Sequence, residues 1–180
     1  MPLKTAIWVP GTAARVEYPE RLTWRPPVGA NNPALPPNLP LRDITIVGSE
    51  ITFSQQSQST GDNTNWFHFP IPTPVLLNDQ RVQLLQVFVF YLAQRSEIVA
   101  VHIWDGPNRV FDQNNLSHEG EHLSAIDNMN TFPLLPAFDP PLPVFFGINI
   151  SVQVEFLSEL QAGVRSIVSF STVGADFITP

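Results

Sequence analysis

The segment Ile148–Phe156 constrains the fold most strongly, because apolar and polar side chains alternate along it without a break. Its apolar positions are Ile148, Ile150, Val152, Val154 and Phe156. Its polar positions are Asn149, Ser151, Gln153 and Glu155. Strict alternation matches the two-residue period of a β-strand, with one face in a core and the other in water. The segment therefore predicts an antiparallel sheet.

Further strand-like segments recur along the chain, separated by turn residues and prolines. We expect them at Thr5–Val9, Ala14–Tyr18, Ile44–Val47, Ile51–Gln55, Asn65–Phe69, Val82–Leu92, Ile98–Trp104, Arg109–Phe111 and Ser166–Val173. The polar connection Gln94–Glu97 predicts that its two flanking strands form a hairpin. A short helix is expected only between residues 113 and 130, with Ser117 as its cap. The chain should be one all-β domain over residues 1–180, an antiparallel β-sandwich with jelly-roll or Greek-key connections.

Residues 25–40 form a proline-rich segment. Its prolines are Pro26, Pro27, Pro33, Pro36, Pro37 and Pro40. Because proline donates no backbone hydrogen bond, the segment should be extended or irregular. We expect it to be a solvated linker, a strap across the sandwich, or an arm that reaches a neighbouring subunit.

The charge balance excludes several classes of partner. The net charge of −7 argues against nucleic acid and against an anionic membrane surface, since both require clustered Lys and Arg. The absence of cysteine excludes disulfides, thiol catalysis and cysteine-based zinc sites. No signal peptide or membrane-spanning segment is recognisable, so a cytoplasmic location is the default expectation. No cofactor is expected.

Two apolar segments carry a tryptophan and a histidine in opposite order, as Trp66-x-His68 and His102-x-Trp104. On a strand these four side chains would share one face. The opposite, apolar face would hold Phe67, Phe69, Val99, Val101 and Ile103. Indole and imidazole rings can bind a glycan or another small molecule. Polar contacts could be added by the adjoining turn residues Asp105, Asn108 and Arg109. Alternatively, the proline segment or the loop around Asn128 covers this face, and the rings belong to the core.

The residues His118-Glu119-Gly120-Glu121-His122 match the zinc-hydrolase pattern H-E-x-x-H, which requires a helix. Gly120 weakens a helix, and no third ligand follows at the usual spacing. A solvated acidic loop is the favoured interpretation. Calcium bound by loop oxygens is a weaker alternative, at Asp105, Asp112, Asn114 and Asp127. No serine–histidine–acid grouping can be recognised.

Several longer motifs resemble a family of small bacterial β-sandwich proteins, a domain of unknown function. They are Trp8-Val9-x-Gly11, Val16–Leu22, Asn65–Val75, Val101–Arg109 and Gly174–Phe177. The resemblance implies no activity or ligand. It covers all four members of the tryptophan–histidine set but not His118–His122. The chain departs from the family pattern at Pro10, where histidine is expected, and in its longer proline segment.

These observations predict a non-enzymatic protein that acts by binding or assembly. The first expectation is a homo-oligomeric or particle-forming subunit. The alternative is a carbohydrate- or small-ligand-binding module that uses the tryptophan–histidine face. The second alternative is a zinc-dependent hydrolase at His118, Glu119 and His122.

Overall fold

The computed structural model describes residues 4–22, 44–47, 49–55, 63–134, 141–157 and 166–180. Its strands are β1 (Lys4–Pro10), β2 (Arg15–Val16), β3 (Ile44–Val47), β4 (Glu50–Gln55), β5 (Thr64–Pro70), β6 (Leu76–Leu77), β7 (Gln80–Arg81), β8 (Gln83–Asp105), β9 (Asn108–His122), β10 (Thr131–Pro133), β11 (Leu142–Pro143), β12 (Ile148–Phe156) and β13 (Ser166–Ile178). Two 3₁₀ turns lie at Gly11–Ala13 and Pro19–Arg21. None of the described helices is long and apolar enough to cross a membrane. The proline segment 25–40 lies outside the described residues.

All strand pairs are antiparallel, and most strands belong to one sheet that folds over on itself. Its order is β2-β5-β12-β8-β13-β4-β3, with β1 on β13 and with β9, β10 and β11 on β8. The front layer consists of β2, β5, β12, the C-terminal half of β8 and the start of β9. The back layer contains β3, β4, β13, β1 and the N-terminal half of β8. The predicted all-β antiparallel sandwich is confirmed.

The core fills the space between these layers with aromatic and branched side chains. Phe67 of β5 faces Phe53 of β4 at 4.7 Å between ring centroids, and it faces Phe170 of β13 at 5.2 Å. Phe69 lies 5.1 Å from Phe170. Each fully buried phenylalanine contributes about 1.5–3 kcal/mol of hydrophobic stabilisation. The five apolar positions of β12 are likewise buried, as their alternation predicts.

The predicted hairpin between Val82–Leu92 and Ile98–Trp104 is wrong, because the two segments form one continuous strand, β8. At Arg95 the backbone takes a left-handed φ of 56°. Residues before this point pair with β13, and residues after it pair with β12. The neighbouring Ser96 is fully buried and donates to the Ile167 carbonyl. The polar residues therefore mark a bend between layers, where a turn was expected.

The predicted inward face of β8 is right for Val101 and Ile103 but wrong for Val99. Both Val101 and Ile103 are fully buried, whereas Val99 is partly exposed. The cause is a β-bulge, because Gln153 pairs with Ala100 and Val154 pairs with Ile98. The extra residue reverses the alternation, so Ile98 enters the core in place of Val99.

The helix expected between residues 113 and 130 is also absent. Residues up to His122 belong to β9, and they pair with β8. Ser117, the expected cap, donates its hydroxyl to Glu97. Residues 123–130 then form a turn in which the Asp127 carboxylate accepts the backbone N–H groups of Met129 and Asn130.

Candidate functional site

The outer face of the front layer forms an open cleft of about 450 Å³. This volume is typical of small-molecule sites, which measure roughly 300–1,000 Å³. The cleft is lined by Glu17, Trp66, His68, His102, Trp104, Gly106, Asn149 and Ser151. All four members of the predicted tryptophan–histidine set therefore meet in one place. The loop around Asn128, which was a possible cover for this face, lines a different cavity.

Strand register explains how the cleft is built. Ser151 of β12 lies opposite His68 of β5 on one side and opposite His102 of β8 on the other. The small serine forms a low floor between two larger rings. Trp66 and Trp104 lie diagonally on either side of this row, and strand geometry places their Cα atoms on the order of 15 Å apart. The two indoles therefore come from the two strands that flank β12, and the Trp66 ring extends towards His102.

A hydrogen-bonded series crosses the middle of the cleft. The Asn149 amide donates to Ser151 Oγ at 3.1 Å, and Ser151 Oγ lies 2.9 Å from His68 Nδ1. His68 Nε2 lies 3.4 Å from a carboxylate oxygen of Glu17. A neutral ring with its proton on Nε2, facing the carboxylate, accepts the serine hydroxyl at Nδ1. The series therefore fixes the orientation of His68 and places the Glu17 carboxylate at the wall of the cleft.

The second imidazole, His102, is held by a tilted ring contact with Trp66 and by a separate hydrogen bond. Its ring lies 4.6 Å from the Trp66 indole, with 45° between the two planes. Its Nε2 lies 2.8 Å from the side-chain oxygen of Asn114, whose amide donates in turn to Asp112. His102 is largely buried, whereas Trp66 is partly exposed. The imidazole thus supports the indole that faces the cleft.

Glu17, His68 and Ser151 together make the acid–histidine–serine grouping that was not recognised in the sequence. Glu17 enters the cleft from the residue after β2, and its N–H donates to the Trp66 carbonyl. Ser151 is only 1% exposed and lies in a strand that is paired along both edges. The backbone N–H groups around it are engaged in those ladders, so they cannot form an oxyanion hole. The grouping is suited to positioning His68, and not to acyl transfer.

The three predicted turn residues have different positions. Asp105 is 2% exposed, and its carboxylate accepts the backbone N–H groups of Phe145, Phe146 and Gly147. It therefore holds this turn, and its contact with a ligand stays a prediction. Arg109 is exposed and pairs opposite Trp104, beside the cleft. Asn108 is exposed in the turn and does not line the cleft.

The zinc pattern does not form the expected helical pair. His118 and His122 lie on the extended strand β9, and Glu119 lies exposed between them. His118 Nδ1 donates to the Met129 carbonyl at 2.8 Å. His122 Nδ1 lies 2.7 Å from the Asp127 carboxylate. Within the part of the chain that the structure describes, no three His, Asp or Glu residues are placed to hold a metal ion. The helical premise of the hydrolase alternative is wrong.

The four oxygen-bearing residues considered for calcium are separated. Asp105 holds the turn at residues 145–147, whereas Asp127 holds the turn after β9. Asp112 and Asn114 bond to each other on β9. Each therefore has a structural partner of its own, and they form no shared set of ligands.

Burial and nearby polar or charged groups shift the pKa values of three groups close to the end of β9, namely His118, Asp127 and Tyr91. Burial lowers the pKa of His118 by more than the hydrogen bond to Met129 raises it. Burial raises the pKa of Asp127, but hydrogen bonds from His122, Met129 and Asn130 together hold it below its usual value. Burial and the nearby Asp127 charge raise the pKa of the Tyr91 hydroxyl. These groups lie outside the cleft and bear on stability.

No family model and no curated protein matches the chain. Among solved structures, the chain is similar to a low-affinity xylan-binding module, CBM86, from the gut symbiont Roseburia intestinalis. The identity is 13%, the match covers 97% of this chain and 96% of that chain, and the TM-score is 0.45. A likeness this distant assigns no ligand. The family resemblance of the sequence motifs stays a prediction.

Proposed function

We propose that this β-sandwich binds neutral carbohydrate in the cleft between Trp66 and Trp104. The observation that carries the proposal is the combination of two indole side chains with a floor of polar side chains in one cleft. A sugar ring has an apolar face and a polar edge. The indoles offer surface to the first, and Asn149 and Glu17 offer hydrogen bonds to the second.

The charge of the cleft favours a neutral ligand. Of the residues that line it, Glu17 alone carries a formal charge when the histidines are neutral. Its carboxylate would repel a sugar acid, and the net charge of −7 acts in the same direction. Hydroxyl groups, by contrast, can donate to the Glu17 carboxylate.

The residues of the cleft are suited to binding a sugar and lack the groups that catalysis would require. General acid–base hydrolysis of a glycoside requires two carboxyl groups on either side of the bond. The cleft lining contains the single carboxyl group of Glu17. Acyl transfer would require oxyanion donors beside Ser151, whose strand is paired on both edges.

Tryptophan fluorescence titration tests the proposal. The panel should contain neutral cello-, xylo- and manno-oligosaccharides, an oligogalacturonate, and choline as a cationic probe. We expect a neutral sugar to change the emission of the wild type. Trp104→Ala should lose this binding. The matched control Trp8→Phe should retain it, because Trp8 packs on Phe88 of the back layer, outside the cleft.

Two results would contradict the proposal. One is the absence of any response to the neutral sugars at low-millimolar concentration. The other is a response to choline or oligogalacturonate alone, which would assign the cleft to a charged ligand. Assembly into a homo-oligomer is a separate prediction, since the proline segment on which it rests lies outside the described residues.

A further inference from the structure

The turn Phe145–Gly147 adjoins one end of the cleft. It leads directly into β12, where Asn149 pairs opposite Trp104. Its Gly147 carbonyl accepts the backbone N–H of Gly106 at 3.0 Å, and Gly106 is itself part of the cleft lining. The turn and the Trp104 end of the cleft are therefore contiguous.

Asp105 holds this turn in one conformation. One carboxylate oxygen accepts the Phe145 N–H at 2.7 Å, and the other accepts the N–H groups of Phe146 and Gly147 at 2.7 and 2.8 Å. Charge-assisted bonds of this length are strong, and this carboxylate is buried. A turn that is already ordered loses little conformational entropy when a ligand contacts it.

The two phenylalanines of the turn have different surroundings. Phe145 has an internal partner, because the Arg81 guanidinium lies 4.7 Å from its ring centroid and also donates to the Val144 carbonyl. Phe146 packs against Gly106 and is still 64% exposed. A Cβ at Gly106 would lie 2.7 Å from the Phe146 Cβ, so glycine makes this close approach possible. Phe146 therefore lies next to the cleft, whereas Phe145 packs with Arg81.

We infer that Phe146 forms a further subsite that extends the cleft beyond Trp104, and that the preferred ligand is a linear oligosaccharide longer than the cleft. This inference rests on the proposed function. A fixed aromatic ring left largely in water gains burial when a sugar unit packs on it. The additional unit must be joined to the one beside Trp104, so the gain should appear only with longer chains.

The test compares a disaccharide and a hexasaccharide of whichever neutral series the wild type binds. Calorimetric titration should show that the wild type prefers the hexasaccharide. Phe146→Ala should reduce hexasaccharide affinity about threefold to tenfold, the range expected for one aromatic contact, and leave disaccharide affinity unchanged. Phe146→Tyr should keep the preference. The matched control Phe145→Ala should keep it too.

The possible outcomes separate this inference from the proposed function. If Phe146→Ala retains the full preference for the longer chain while Trp104→Ala abolishes binding, the subsite is wrong and the cleft assignment stands. If Phe146→Ala leaves the affinities unchanged but lowers the mass in solution, the ring belongs to a contact between copies of the chain, and the subsite is again wrong. If the wild type binds neither sugar, the proposed function itself is wrong.

Discussion

Trp66 and His102 lie on strands that are separated by β12, yet their ring centroids are only 4.6 Å apart. Ser151, which lies beside His102 in the register, is small and leaves the face of β12 open between the two rings. The same serine bonds to His68 at 2.9 Å. One residue therefore determines both the depth of the cleft and the orientation of an imidazole in its wall.

Substitution of Ser151 should separate these two roles. Ser151→Ala keeps the floor low but removes the hydrogen bond to His68, at a cost of about 0.5–1.5 kcal/mol in unfolding free energy. Ser151→Val replaces the hydroxyl with one methyl group and adds a second, which raises the floor and should abolish sugar binding. Urea denaturation and fluorescence titration measure the two effects. Equal sugar affinity in the two variants would show that the ligand does not reach the cleft floor.

Glu17 should control the selectivity of the cleft between neutral and acidic sugars. Glu17→Gln removes the one formal charge of the lining while keeping its shape, so the discrimination against an oligogalacturonate should shrink. The control is Glu20→Gln, which removes an exposed charge outside the cleft. Titrations at low and high salt measure the effect, since a Coulombic cause weakens with ionic strength. If Glu17→Gln has the same selectivity as the wild type, the Glu17 carboxylate is not the cause of the discrimination against acidic sugars.

The alternation of side chains predicted the faces of the sandwich well. Phe67 and Phe69 lie in the core, and Trp66 and His68 lie on the opposite face of the same strand. This follows because successive side chains of a β-strand point to opposite faces of the sheet. The prediction failed where the backbone departs from that period, as at Val99. A bulge depends on how neighbouring strands pair, and no local residue pattern indicates it.

The remaining site residues depend on pairings between distant parts of the chain. Glu17 reaches His68 only because β2 lies beside β5. Ser151 was expected simply on the wet face of its strand, and the sequence does not show that two histidines flank it. The structural role of Asp105 was missed for a related reason, because its backbone partners lie about forty residues further along the chain, in the turn before β12. Long-range register, which the sequence does not reveal, decides each of these contacts.

Asp105 should be the most sensitive acidic residue for folding. Asp105→Asn replaces a carboxylate that accepts three backbone N–H groups with an amide that has one acceptor oxygen. We expect the unfolding free energy to fall by about 2–4 kcal/mol, as for buried groups left without partners. Asp79→Asn is the matched control, since Asp79 is exposed and asparagine tolerates its positive φ. Comparable stability losses in the two variants would contradict the structural role of Asp105.

Assembly can be tested through the mass of the particle in solution. The chain is poor in charge and has six prolines between residues 25 and 40, so we expect more than a monomer by light scattering. Deletion of residues 26–40 should lower the stoichiometry. If the wild-type protein is a monomer in solution, the prediction of assembly is wrong.

His118 should make the fold less stable as the pH falls from 7 towards 5. Burial holds the folded-state pKa of His118 below its ordinary value of 6.5, so the unfolded chain binds the proton more readily. Stability from this group is complete above pH 6.5 and is lost as the pH drops through the folded-state pKa. The slope cannot exceed about 1.4 kcal/mol per pH unit for one proton. Asp127 also destabilises the fold as the pH falls, because its folded-state pKa is lowered as well. Its effect is confined to pH values below its ordinary pKa of 3.8.

The variant His118→Gln separates this contribution from the rest of the acid response. It removes the titrating ring but keeps an amide that can donate to the Met129 carbonyl. Chemical denaturation at a series of pH values should give a shallower slope between pH 7 and 5 than in the wild type. His68→Gln serves as the control, because His68 lies in the cleft, away from His122 and Asp127. If the His118→Gln slope equals that of the wild type, another group causes the acid sensitivity and His118 is excluded as its source.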